Sequence, residues 1–179
     1  MTSWRHLRAI LLLPGIVLLA IPGMILWWGG LDALGLWRSV PVSRPLLPIL
    51  GGLLVGLGLA LVVSTIRLFV KLGEGTLAPW DPPQRLVVRG VYRHVRNPMM
   101  SGALLVLLGV ALLSASPILL CWFVVVGIVY AVYIPLSEEP GLARRFGDDY
   151  LAYKKSVPRW IPSRKPWQGE VASRKVVRP

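Results

Sequence analysis

Charge is scarce in this chain, and negative charge is scarcer. Charged residues make up 16% of the 179 positions, against about 25% in soluble domains. Only 8 are Asp or Glu, beside 20 Lys or Arg, which leaves a formal net charge of +12. Cysteine is nearly absent. The single Cys121 excludes an internal disulfide framework, and one Cys with two His is too small a set for a Cys/His zinc centre, so no metal is expected. There is no Ser/His/Asp set and no glycine-rich phosphate loop. What the chain has in quantity is apolar mass, 55% of its residues. That excludes a disordered chain. It also argues against a nucleic-acid module, whose basic residues decorate a soluble core. Apolar and basic together describe a membrane protein with positive loops.

The charge-free runs give the expected topology. Residues 9–31, 45–66 and 97–137 hold no charge, runs of 23, 22 and 41. About 20 helical residues cross a hydrocarbon core of roughly 30 Å, so the first two runs fit one span each. The third is too long for one span and must fold back. Ser114-Ala115-Ser116-Pro117 supplies the break, with Ser116 as helix cap and Pro117 in the first turn. The expectation is an all-α polytopic membrane protein with four transmembrane helices, at about 9–28, 45–66, 99–113 and 117–134. Arg5 and Arg8 precede the first run as in a signal peptide, but the run outlasts a signal core and no A-x-A site follows. Trp27 and Trp28 read as an interfacial belt, so a retained helix is expected.

Of the 20 basic residues, 18 fall on the side of the two termini and the 67–96 loop; only Arg38 and Arg44 fall on the other. The positive-inside rule then places both termini in the cytoplasm of a multi-pass protein in the cell (inner) membrane. No Asp, Glu, Lys or Arg lies within a span, which argues against an ion pump or proton-coupled carrier. Gly52, Gly56 and Ala60 line one side of the second span with small residues. Packing against another helix of the same chain is the first reading, a homodimer through the same three residues the second.

Polar chemistry is confined to two cytoplasmic pieces, 74–98 and 137–162, which flank the 97–137 hairpin. A hairpin returns its ends to one face, so the two pieces should meet. In the first, Pro79, Pro82 and Pro83 forbid a continuous helix, Gly90 marks a turn, and Asn97-Pro98 starts the third span. A helix start there, flanked by Arg93 and Arg96, could hold a carboxylate or phosphate, or could simply begin a span. In the second, Pro135 ends the fourth span and Glu138-Glu139 follow amid basic residues. Such an acidic pair could bind an amine, ribose hydroxyls or a cation, or could cap and salt-bridge. Leu142, Phe146, Tyr150, Tyr153 and Val157 share one helical face, with a stop and fresh start at Gly147-Asp148. This is an amphipathic helix over 140–157, lying along the interface or closing over a pocket, its aromatic stripe a packing face. His94, alone in its loop, reads as a surface residue, and Cys121 as packing.

Two strings, LVVRGVYRHVRNPMMSG at 86–102 and EEPGLARRFGDDYLAYKKSVPRWIP at 138–162, together resemble the integral-membrane family of isoprenylcysteine carboxyl methyltransferases and phospholipid N-methyltransferases. The family pattern is a Gly-x-Tyr-Arg stretch, Arg-His-Pro-x-Tyr-x-Gly, a hairpin, a Glu-Glu pair, then Phe-Gly and Tyr-Lys-Lys. The resemblance covers about 84–162. It implies S-adenosylmethionine as cofactor, bound by Gln84, Arg85, Leu86, Val87, Tyr92, Asn97, Pro98, Met99, Met100 and Glu138. Arg96, Asn97 and Glu138 are the catalytic candidates. Three positions depart from the pattern: Asn97 replaces the family His, Met100 its Tyr, and Ile134 an Arg that helps bind prenylcysteine substrates.

The implied organisation is two N-terminal spans over 1–66, a methyltransferase core over 67–162, and a basic, disordered tail over 163–179. The implied function is S-adenosylmethionine-dependent methyl transfer, at the cytoplasmic face, to a lipophilic acceptor entering from the bilayer. Membrane lipids are the expected partners and nucleic acid is not. A nicotinamide-dependent reductase of the same core fold, or a non-catalytic membrane scaffold, are the alternatives.

Overall fold

The computed structural model describes residues 11–29, 46–72 and 86–169. It is all-helical, with no strand among the described residues. Helix α1 runs in wide π-type turns over Leu11–Ala20 and as regular α-helix over Ile21–Gly29. Helix α2 is Leu46–Leu72, α3 is Pro98–Leu113, α4 is Pro117–Tyr133 and α5 is Glu139–Ser156. A short 3-10 turn, Gly90–Arg93, precedes α3.

Two helices are long and apolar enough to cross a membrane, Leu46–Leu68 and the one beginning at Pro117; Gly15–Trp28 and Pro98–Leu113 are shorter apolar helices. The core helix of a soluble protein would be mostly buried. In the most apolar windows of the two long helices only 11% and 17% of residues are buried. Leu53 and Leu57 on α2, and Ile128, Val129 and Val132 on α4, are among many large side chains left exposed. Such faces need a hydrocarbon solvent rather than water.

The hairpin forms where the sequence places it. Ser116 caps α4 by accepting from the Leu119 amide at 3.4 Å, and Pro117 takes the first turn. Ala115 adopts a left-handed φ of 49° to reverse the chain.

The small-residue stripe is a correction. A Cβ built at Gly52 or Gly56 would have nothing within 4 Å, and Ala60 is exposed, so this stripe does not pack against the described residues. The close helix contact instead pairs Gly51 with Gly109 and Gly58 with Gly102, so α2 and α3 run antiparallel. A Cβ at Gly58 would lie 2.6 Å from the Gly102 carbonyl oxygen, and one at Gly109 would lie 2.7 Å from that of Gly51. The seven-residue spacing on both helices keeps these glycines on one seam as the helices turn. Because α2 is so closely wed to α3, a division of the chain at residue 66 falls inside α2. Helix α1 is held to α4 by the Trp122 indole, which donates to the Val17 carbonyl at 3.2 Å.

Pro135 was expected to end α4. It widens the helix instead. Lacking an N–H, proline cannot bond the carbonyl four residues back, and its ring crowds that turn. Residues Ile134–Glu138 relax into a π turn, in which the Glu139 amide reaches back five residues to Ile134. The chain then continues as α5, kinked at Gly147, whose φ of 53° and ψ of −132° lie outside helical values.

Candidate functional site

The site lies at the open end of the α3–α4 hairpin, where the two polar pieces of the sequence meet. Gly90 makes the turn that brings the chain to α3, with a φ of 55° that side chains disfavour. Residues 93–97 then run beside the segment that follows α5. The Arg96 amide donates to Pro158 O at 2.9 Å, the Asn97 amide to Arg159 O at 3.4 Å, and the Ser163 amide to His94 O at 2.8 Å. Trp167 N donates to Arg93 O at 2.9 Å, and Arg93 Nε returns a bond to Trp167 O at 2.6 Å. His94 Nδ1 lies 2.7 Å from Ser163 O, so that ring nitrogen carries the hydrogen. Residues 157–167, which take in the start of the expected disordered tail, are therefore a strap. Backbone pairing and the Trp167 ring, set edge-on to Tyr153 at 5.6 Å, hold it.

The aromatic stripe of α5 packs inward, as expected of a packing face. Tyr150, Tyr153 and Val157 form its buried centre, with Leu142 and Phe146 alongside. What covers it is Leu86, Val88 and Trp167. Burial pushes the Tyr153 hydroxyl up, so it stays protonated and donates to the Tyr92 carbonyl at 2.7 Å. Tyr153→Phe should therefore cost about 1 kcal/mol, the net worth of one hydrogen bond. A lower melting temperature of the detergent-solubilised protein would register it, and an unchanged one would refute it.

The two glutamates have opposite fates. Glu139, 3% exposed, is gripped by three cations: Arg96 Nη1 at 2.7 Å, Arg159 Nε at 2.8 Å and Lys154 Nζ at 2.8 Å. Burial alone would raise its carboxyl, but the bonds from Arg159 and Lys154 and the charges of Arg96 and Arg159 outweigh that and lower it. Lys154 is 43% exposed, so its share is screened by solvent. Arg96 is further fixed by Nε donating to Val157 O at 2.8 Å. No ion pair to Glu138 is seen among the described residues. Burial, and then the charge of Glu139, hold its carboxyl above the ordinary glutamate range. It sits close enough to Tyr92 and Tyr150 to raise both hydroxyls, Tyr150 to about 12 behind the larger effects of burial and Glu139.

Four buried side-chain atoms make no hydrogen bond among the described residues: Asn97 Nδ2, Ser101 Oγ, Glu138 Oε2 and Glu139 Oε2; the last still has Lys154 Nζ against it at 2.8 Å, which leaves three without any partner there. Asn97 stands at the N-cap of α3, yet its side chain makes no capping bond; only its carbonyl is used, by the Ser101 amide at 3.0 Å. Its backbone amide is taken by Arg159 O of the strap. Unpaired buried donors are costly, so a water or a ligand must meet them. Ser101 was not singled out in the sequence. The signal was available: it stands four residues after Asn97, on the same helical face.

Of the other expected site residues, Tyr92 lies beside Glu138. Leu86 packs on the α5 cluster, Val87 is half-buried, Pro98 is buried and Met99 and Met100 are half-buried in the first turn of α3. Gln84 and Arg85 lie outside the described residues. Arg96 is committed to Glu139 and the strap. Ile134, at the place of the substrate-binding Arg, is 0% exposed.

A profile of phospholipid methyltransferases matches residues 46–149, from the start of α2 to well within α5. The chain belongs to that family. Among curated relatives, it is 37% identical over 79 residues to the protein-S-isoprenylcysteine O-methyltransferase B of Arabidopsis thaliana. That alignment covers 44% of this chain and 40% of the plant protein, so less than half of either is compared. Membership of this family fits a membrane protein, as do the exposed apolar faces of α2 and α4. The family match also favours methyl transfer over nicotinamide-dependent reduction.

Proposed function

We propose that this protein is an S-adenosylmethionine-dependent methyltransferase acting on a lipophilic acceptor at the cytoplasmic face of the cell membrane. The single observation that carries this is the trio of unpartnered buried atoms, Asn97 Nδ2, Ser101 Oγ and Glu138 Oε2. They offer a donor, a hydroxyl and an acidic oxygen, which suits a zwitterionic ligand. Four spans, both termini inside and the 67–162 segment as core belong to this reading, and the charge distribution supports the topology.

S-adenosylmethionine, when bound, supplies a methyl group activated on a sulfonium sulfur. Glu138 would hold the ammonium of such a ligand, and Asn97 and Ser101 would hydrogen-bond its polar groups. Pro98, Met99 and Met100 would give the apolar wall, and Leu86, Val87 and Tyr92, with Gln84 and Arg85, the approach segment. Methyl transfer depends on alignment more than on an elaborate acid–base set. That fits a site whose histidine position is Asn97. The acceptor would enter between helices from the bilayer, and the buried Ile134 leaves no cation there for a prenylcysteine carboxylate.

The test is equilibrium binding of labelled S-adenosylmethionine to the purified chain in detergent, followed by labelled methyl transfer into a membrane extract. Saturable binding and labelled lipid-soluble product are expected. Absence of saturable binding would refute the reading.

A further inference from the structure

The family's paired glutamates are not equivalent here, and the difference assigns Glu139 a task of its own. Its carboxylate joins three separate pieces of the fold: the loop before α3 through Arg96, the last turns of α5 through Lys154, and the strap through Arg159. Each piece touches the candidate site. Arg96 precedes Asn97. Arg159 supplies the carbonyl that takes the Asn97 amide. Glu139 itself follows Glu138 on the π turn. Both of its oxygens have a cation against them, Oε1 the two arginines through hydrogen bonds and Oε2 the Lys154 ammonium as an ion pair at 2.8 Å, so its charge is already matched without a ligand. The strap also lies beyond residue 149, where the family match stops.

We propose that Glu139 is a positioning residue. It latches the 157–167 strap onto the 93–97 loop, and so fixes Asn97 and Glu138 in one arrangement without touching the donor. The binding part of this rests on the methyl-donor reading above; the latch itself does not.

Hydrogen exchange read by mass spectrometry on the full chain in detergent tests the latch. In Glu139→Gln, peptides covering 93–97 and 163–167 should exchange at least about tenfold faster while α3 and α4 keep their protection. Binding of S-adenosylmethionine should weaken at least about tenfold in the same variant. Glu139→Asp, which keeps the charge, should restore most of both. Glu138→Gln should leave strap exchange unchanged and lose binding. Wild-type strap exchange in Glu139→Gln would overturn the proposal. Lost binding with an intact strap would also overturn it, by making Glu139 a direct contact. If the wild-type chain binds no S-adenosylmethionine, the methyl-donor reading fails, and the exchange data still decide the latch. Should Glu139→Gln not fold, Arg159→Gln opens the same latch from the other side and is read on the same peptides.

Discussion

Gly58→Leu is expected to unfold the α2–α3 pair or prevent its formation. The first atom of the new side chain would meet the Gly102 carbonyl oxygen at 2.6 Å, the Val106 Cγ2 at 2.8 Å and the Val106 amide nitrogen at 2.9 Å. Two of these three are backbone, so no rotamer change relieves them. Overpacking usually costs 1–3 kcal/mol, and a clash with fixed backbone belongs at about 3 kcal/mol or above. Against a total of roughly 5–15 kcal/mol for a domain, that removes much of the margin. Gly52→Leu is the matched control, six residues away on the same helix, with nothing within 4 Å of its new Cβ. Melting of both variants in detergent should show a large drop for the first and near-wild-type behaviour for the second. Equal melting temperatures would refute the seam.

Donor binding should fail in Glu138→Gln, and in the wild-type chain it should fade in acid. A charge-assisted hydrogen bond is worth about 1.5–3 kcal/mol, so losing it weakens binding roughly 10- to 150-fold. The pH dependence follows from the direction of the shift. Glu138 is raised by burial and then by Glu139, so its carboxylate accepts a proton at a pH above that of an ordinary glutamate. Binding that needs the carboxylate is present above that raised value and lost as pH falls through it. Glu138→Gln should flatten this limb. The same shift gives the ligand-free protein a contribution to stability below the ordinary carboxylate value that disappears as pH rises past the raised one. Glu139 acts in the opposite sense. Its lowered carboxyl contributes stability above the ordinary value, lost only as pH falls through its folded value. Binding should therefore fail in acid before the latch does. Titrating S-adenosylmethionine affinity and strap exchange together over mildly to strongly acidic pH checks the order.

Much of the fold was written in local signals. Asn97-Pro98 and Ser116-Pro117 marked the starts of α3 and α4, and the structure begins helices at Pro98 and Pro117. Gly90 and Gly147 marked breaks, and both take positive φ. The meeting of the two polar pieces was also legible, because a hairpin must return its ends together. What escaped was rotational. One-dimensional spacing shows that glycines recur on α2 but not which side of the helix meets α3. It selected Gly52 and Gly56 where the contact uses Gly51 and Gly58. The same blindness left Glu138 and Glu139 undistinguished by spacing, and only the resemblance chose Glu138; in the structure Glu139 is ringed by three cations and Glu138 carries an orphaned oxygen. The strap escaped for another reason. Its hold is mostly backbone hydrogen bonding, which leaves no side-chain pattern in the sequence.

The π turn at Ile134–Glu138 separates two properties that an α-helix ties together, length and phase. In a regular helix each residue adds about 1.5 Å and about 100°. A wide turn absorbs one residue while advancing the chain little, and so changes the azimuth of everything after it. Here it sits between the stretch whose surface must suit hydrocarbon and the stretch whose side chains must suit a ligand. The depth of α4 can thus be set by the bilayer and the heading of Glu138 by the site, each adjusted without disturbing the other.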